Sequence, residues 1–406
     1  MRVLFVVKEY LPKATATGLC VMNVQKALLE RNVKSDVLMV GETEGKYCEG
    51  EYGDVYCIQS DISFEKKKQG IMHSLKVRVP MLFSWPVPSK KRVKDYVRVI
   101  NQLNTERHYD AIIGTMFPPD VCVACSEFEH FFYYELDSIV NNPMYKEGLK
   151  KYLRGRLVRL EKKLFDRAEM IIHLNHNSKF YSKKEYNKYI GKSVYTDIPE
   201  ITPVSKTVSN ETGDSAKEND QVLLVYSGHL SKEFRSPTRL IELVKYLSKS
   251  INVKCLFFSR GECEDELRNA EADTSGTIKR MGFVSPEELA RYTEQADFLL
   301  DIGNCLTGED YSLPSKVICY IATGKPIIHL NGTNDIAVQY LEKYGLALNV
   351  ERDLSIEKAG EQILQFIENN KNKRVDFNEV VEKFPQNTPG YTADIIIKRI
   401  ESRSKS

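Results

Sequence analysis

Short apolar runs rich in β-branched and aromatic residues alternate with helix-length amphipathic segments along nearly the whole chain. VLFVV (3–7), DVLMV (36–40), AIIG (111–114), FFYY (131–134) and MIIHL (170–174) read as buried strands, separated by charged stretches of helical spacing such as 18–31. Buried strands alternating with helices form βαβ units around a parallel sheet. The pattern stops at TPVSKTVSNETGDSAKEND (202–220), where large apolar side chains are too few to offset the entropy of ordering. A second series then begins: VLLVYSG (222–228), KCLFFSRG (254–261), TIKRMGF (277–283), FLLDIGN (298–304), KPIIHL (325–330) and GLALNV (345–350), with helices expected at 237–249, 286–295 and 315–323. A chain of 406 residues also exceeds what one hydrophobic core supports. The sequence therefore reads as an α/β protein with Rossmann-like domains at 1–200 and 221–385, joined by a linker or exposed loop at 201–220. The amphipathic segment within 386–406 is expected to pack back onto the first domain.

Charge and cysteine usage remove several function classes. A formal net charge of +2 lacks the basic excess of a dedicated nucleic-acid binder. The nine cysteines show no repeated spacing. Cys122 and Cys125 form a lone CxxC, read as core thiols on one side of a helix rather than as a zinc site with the distant His173 and His176. The opening MRVLFVVKEYLP is too short for a membrane span, and no later run approaches 18 apolar residues. A reducing, cytoplasmic setting is expected, with no metal and no cofactor.

Three segments carry candidate chemistry. KEYLPKATATGLC follows the first strand, and its small residues up to Gly18 would let backbone N–H groups approach an anion at a helix start; an ordinary glycine turn reads equally well. No GxGxxG occurs, which disfavours a dehydrogenase. YSGHLSKEFRSP (226–237) sets Lys232 and Arg235 beside the Gly228 turn, where two cations can neutralise a diphosphate. In LPSKVICYIATGKPII, Pro314 suits a first helical turn that leaves the N–H groups of Ser315 and Lys316 unpaired. The helix dipole and the Lys316 ammonium both favour a phosphate there.

At these residues the chain resembles the retaining GT-B glycosyltransferases related to glycosyltransferase family 4. GNCLTGEDYSLPSKVICYIATGKPII is similar to the family's donor-site segment, YSGHLSKEFRSP to its Gly turn with basic diphosphate ligands, and RMGFVSPEELARYTEQADFLL (280–300) to the stretch that holds the nucleobase. KEYLPKATATGLC fits the family's N-terminal glycine loop. The resemblance implies two Rossmann-like domains facing each other across a cleft and a nucleotide-sugar donor as substrate. Arg235 and Lys232 would face the donor diphosphate, with Lys316 and Ser315 cradling it. Gly282 and Phe283 would flank the base, and Gly18, Gly228 and Asn304 would complete the site. Transfer would retain the anomeric configuration without a metal, Arg235 and Lys316 neutralising the leaving group. Many members of the family carry two glutamates eight positions apart. Aligning ATGKP puts Tyr311 and Cys319 there, and a thiol cannot accept two ribose hydrogen bonds as a carboxylate does. Glu309 and Asp310 are the nearest acids.

Two basic segments bear on the setting. Residues 79–98 join an apolar stretch containing Trp85 to Lys90, Lys91, Arg92, Lys94 and Arg98, and residues 148–169 form a second basic helix. Both would suit a peripheral contact with anionic lipid, or equally a partly buried loop and a solvated helix face. Asp137, just past FFYY, is the candidate group for contacting or deprotonating an acceptor hydroxyl, an acidic helix cap being the alternative. The function expected is transfer of a sugar to a glycan or lipid-linked acceptor in surface polysaccharide assembly. A nucleotide-sugar epimerase of the same fold, or an inactive accessory protein, are the alternatives.

Overall fold

The computed structural model describes residues 1–11, 15–59, 88–116, 118–138, 140–141, 150–203, 220–233, 235–303, 313–332 and 336–403. The chain divides into two compact units, Met1–Glu200 with Gln386–Ser406, and Ile201–Pro385.

The first unit is built on an eight-stranded sheet: β1 (Arg2–Val6), β2 (Lys34–Gly41), β3 (Gly45–Gly50), β4 (Gly53–Gln59), β5 (Ala111–Met116), β6 (Phe131–Glu135), β7 (Met170–Leu174) and β8 (Ser193–Thr196), in the order β3-β4-β2-β1-β5-β6-β7-β8. Every pairing is parallel except the β3–β4 hairpin at the edge. The apolar runs at 3–7, 111–114, 131–134 and 170–174 are buried throughout, as strands covered on both faces must be. The last helix, Pro389–Arg403, packs against the helix Ala16–Leu29, with Ala393, Ile396 and Ile400 in the same apolar cluster as Val21 and Val24. Glu169 fastens its far end through Arg399 (3.2 Å) and Arg403 (3.0 Å).

The second unit has a six-stranded, wholly parallel sheet: β9 (Val222–Leu230), β10 (Val253–Gly261), β11 (Ile278–Arg280), β12 (Phe298–Ile302), β13 (Ile327–Gly332) and β14 (Ala347–Glu351). Their order is β11-β10-β9-β12-β13-β14. Strand order thus reverses between β9 and β12, and the crevice beyond their carboxyl ends is where doubly wound sheets bind ligands. Helices at Thr238–Leu247, Pro286–Gln295 and Ser315–Ala322 lie where their amphipathic spacing predicts.

The two cysteines of the CxxC lie fully buried in the helix Pro119–Cys125, and the Cys122 thiol donates to the Gly114 carbonyl at 3.4 Å. His173 is instead bound to Glu135. Of the basic residues at 90–98, Arg92 pairs with Asp120 (3.1 Å) and Arg98 with Glu44. Trp85 and the rest of 79–87 lie outside the described residues. The helix Lys150–Arg167 buries Leu157, Leu164 and Phe165 and leaves Arg156, Arg159, Lys163 and Arg167 exposed. Among the described residues no helix is long and apolar enough to cross a membrane.

Candidate functional site

In the second unit, three sequence segments meet at the carboxyl ends of β9 and β12. The helix Ser315–Ala322 starts after Pro314, which takes the cap position and caps no N–H with a side chain. The helix buries Val317, Ile318, Tyr320 and Ile321, leaving Ser315, Lys316 and Cys319 partly exposed on one face. Residues three and four apart are neighbours on a helix, so Cys319 sits one turn along from Lys316. The Tyr320 hydroxyl accepts from the Ser227 N–H (3.0 Å), which ties the helix to the end of β9.

Lys316 is the centre of the arrangement. Its ammonium lies 4.3 Å from the centroid of the buried Tyr226 ring and 2.6 Å from Asp301 Oδ1. The Asp301 contact is a close ion pair, and no other acceptor meets Nζ among the described residues. Asp301 is 1% exposed, and its other oxygen is 2.8 Å from Nδ1 of the fully buried His329. Burial alone would raise the Asp301 carboxyl, but the Lys316 ammonium and the His329 ring outweigh it and hold the group well below the usual carboxylate range. Burial likewise lifts the Tyr226 phenol; the Asp301 charge adds to the shift and the Arg235 charge opposes it.

Gly228 has φ +143°, and a Cβ there would stand 3.4 Å from Lys316 Nζ and 3.5 Å from the Tyr226 hydroxyl. Glycine is favoured by conformation, while a side chain would meet the ammonium only at ordinary contact distance. Beyond it, Arg235 N–H donates to the Ser231 carbonyl (2.9 Å), closing a short turn that carries Lys232 on its exposed side. Among the described residues neither Lys232 nor Arg235 makes an ion pair. The Gly282–Phe283 turn follows β11. Phe283 is 72% exposed, and the Arg260 guanidinium lies 5.3 Å over its ring. An exposed aromatic face of this kind can stack a base. Asn304 and Tyr311, with Glu309 and Asp310, lie outside the described residues.

Gly18 and Asp137 belong to the first unit. The Gly18 N–H donates to Thr15 Oγ1 (3.3 Å) as part of the cap of the helix Ala16–Leu29, so it is already engaged. A cavity of about 210 Å³ adjoins that helix start, lined by Lys8, Glu9, Thr15, Thr17 and Asp137. Desolvation first and the Glu135 carboxylate second raise the Asp137 carboxyl above the usual range. Because Asp137 is exposed, water screens both effects and the shift is smaller than full burial would give.

Sequence reading missed Asp301 and His329. It took both as members of the apolar runs FLLDIGN and KPIIHL, yet an ionisable residue buried in a strand needs a partner. Their parallel register, Asp301 beside His329, supplies it.

The two parallel-sheet units are those of the GT-B glycosyltransferase fold. No protein-family model matches the chain, and no curated protein matches it in sequence. Solved structures match at full length. WaaG, a glycosyltransferase involved in lipopolysaccharide biosynthesis, is 15% identical with a TM-score of 0.59, over 97% of this chain and 99% of its own. The sucrose-phosphate synthase of Thermosynechococcus elongatus is 12% identical with a TM-score of 0.63, over 99% and 98%. The E. coli trehalose-6-phosphate synthase bound with UDP-2-fluoro glucose is 10% identical with a TM-score of 0.61, over 98% and 99%.

Proposed function

We propose that the chain is a glycosyltransferase that binds a nucleotide-sugar donor on its second unit and transfers the sugar to a hydroxyl of a glycan or lipid-linked acceptor. The observation that carries this reading is Lys316 at an uncapped helix N-terminus at the strand-order reversal of the second sheet, with Arg235 in the turn that follows β9. Cations and helix N–H groups at such a place neutralise a diphosphate leaving group without a metal, which suits a retaining transfer. Phe283, with Arg260 on its ring, is assigned to the base, and Ser315 and Cys319 to the diphosphate and ribose. The UDP-sugar analogue bound by the E. coli neighbour supports the donor class.

Asp137 is assigned to the acceptor hydroxyl. Its raised carboxyl moves toward the working pH of a general base. The lipopolysaccharide role of WaaG supports an acceptor in surface polysaccharide assembly. The exposed cations of the helix Lys150–Arg167 would then hold the protein against anionic lipid.

The test is thermal stabilisation by UDP, GDP, ADP and CDP in wild type, Lys316→Ala and Cys319→Glu. A ligand specific to the folded form at a hundredfold excess over its Kd adds about 2.7 kcal/mol of stability. The expected result is a shift with one base that Lys316→Ala loses. A shift confined to Cys319→Glu would mean the natural chain has given up its donor. No shift in any variant would reject the donor site.

A further inference from the structure

The environment of Lys316 carries an inference that rests on the donor-site reading and sharpens it. An ammonium that only bound phosphate would need no acid behind it, yet Asp301 lies 2.6 Å from Nζ and is 1% exposed, out of reach of any ligand. Lys316 keeps 15% of its side chain open, so a ligand can meet the ammonium from the outer side only.

His329 holds the second oxygen of Asp301. Its Nδ1–H donates to Asp301, whereas Nε2 has no partner among the described residues. A Cβ on Gly303 would stand 3.2 Å from Nε2 and 3.0 Å from the Leu330 carbonyl, so the ring packs close against the Gly303 backbone. The Lys316–Asp301 pair carries no net charge, and the carboxylate fixes the ammonium in position.

We propose that Asp301, oriented by His329, is a built-in counter-ion for Lys316. It is a positioning residue that holds the ammonium ready in the empty site and lowers the charge the site offers to a diphosphate by one. The ligand shares Lys316 with Asp301 and does not displace it. Arg235 and Lys232, whose side chains make no ion pair among the described residues although the Glu262 carboxylate accepts from the Lys232 N–H (3.4 Å), then provide the net attraction, and Lys316 provides direction. This separates two roles that a count of cations would merge.

A purely structural Asp301 and a counter-ion Asp301 predict opposite signs for binding. Replacing the carboxylate by its neutral isostere leaves Lys316 with no anion, so a diphosphate becomes its only counter-charge. The experiment titrates inorganic pyrophosphate, UDP and GDP into the full chain by calorimetry, in wild type, Asp301→Asn and Asp301→Asn/Lys316→Met. Asp301→Asn is expected to melt lower without ligand, yet to bind pyrophosphate on the order of tenfold more tightly, a fraction of the full Coulomb term between unit charges near a protein surface. The double variant should lose that gain. His329→Asn, which keeps the carboxylate and its charge, is the second probe should Asp301→Asn fail to fold. It should leave affinity nearly unchanged but make binding more costly in entropy, because the ammonium is less well fixed.

Several outcomes separate this inference from the reading beneath it. Binding by wild type that is weaker or equal in Asp301→Asn overturns the counter-ion and leaves the donor site standing. If only His329→Asn folds, a loss of affinity there above tenfold overturns it too. Binding by Asp301→Asn alone supports the counter-ion in its strongest form. Binding by neither protein overturns both.

Discussion

Tyr181 allows a pH prediction that starts from counting protons. Its single hydroxyl proton faces Glu135 Oε1 and Glu161 Oε1, each at 3.0 Å. The Ser138 hydroxyl is the phenol's other neighbour (3.4 Å), and a proton on one carboxyl lets that group donate to the phenol oxygen. Glu135 is tied to His173 (2.5 Å) and to the Asn177 amide (3.1 Å). Glu161, fully buried and bonded otherwise only to the Tyr186 hydroxyl (2.8 Å), is the protonated one. Burial first and the Glu135 charge second raise its carboxyl to about 8, against hydrogen bonds from Tyr186 and Tyr181 that pull the other way. For an acid raised on folding, the native chain binds more protons than the unfolded chain between the two pKa values. Stability therefore falls as pH rises through that window, from about 4.5 to about 8, by about 1.4 kcal/mol per pH unit for this one group. The accumulated cost at pH 9 is on the order of 4–5 kcal/mol. Glu161→Gln keeps an acceptor for Tyr186 and a donor for Tyr181 but has nothing to ionise. Denaturant melts of the first unit, followed at pH 5 and pH 9, should show the variant close to wild type at pH 5 and several kcal/mol more stable at pH 9. Equal differences at the two pH values would refute the protonated Glu161.

Three further outcomes follow from single contacts. Gly228→Ala, strained by its φ and in contact with Lys316 and Tyr226, should weaken nucleoside diphosphate binding while costing the fold only about 1–3 kcal/mol, checked by calorimetry beside a thermal melt. Asp137→Asn should lose most transfer activity with little change in donor affinity. The wild-type rate should fall on the acid side of a pH profile, at a pH above the usual carboxylate range. Ile396→Ala removes a fully buried side chain from the contact between the last helix and the first sheet. It should lower the stability of the first unit by about 2–4 kcal/mol in urea unfolding.

The fold was legible because its strands are buried on both faces, which writes them as apolar runs. VLLVYSG, KCLFFSRG and FLLDIGN all begin strands close to where the runs begin. The β3–β4 hairpin escaped because β3, GKYCEG, is an edge strand with no buried residue, so it has no apolar run to show. TIKRMGF yielded only the three-residue β11, since the chain turns away at Met281 and Gly282. In the site, Lys316, Arg235 and Gly228 were readable from local turn and helix chemistry. Asp301 and His329 are 28 residues apart and meet only through parallel register, which no spacing rule reveals. Glu135, read from FFYYELD as an acid just past a strand and facing the cleft, is instead buried within β6, and its cluster with Glu161 and His173, drawn from two strands and a helix, shows in no spacing. An acid or histidine inside an otherwise apolar strand was the available signal, because burial without a partner is so costly.

The most direct test of the account is nucleoside diphosphate release from a panel of nucleotide sugars, read by mass spectrometry with wild type and Lys316→Ala at matched folded concentration. The account predicts release from one donor class, increased by a hydroxyl acceptor and lost in Lys316→Ala. Release that persists unchanged in Lys316→Ala, or no release and no binding with any donor, would contradict it.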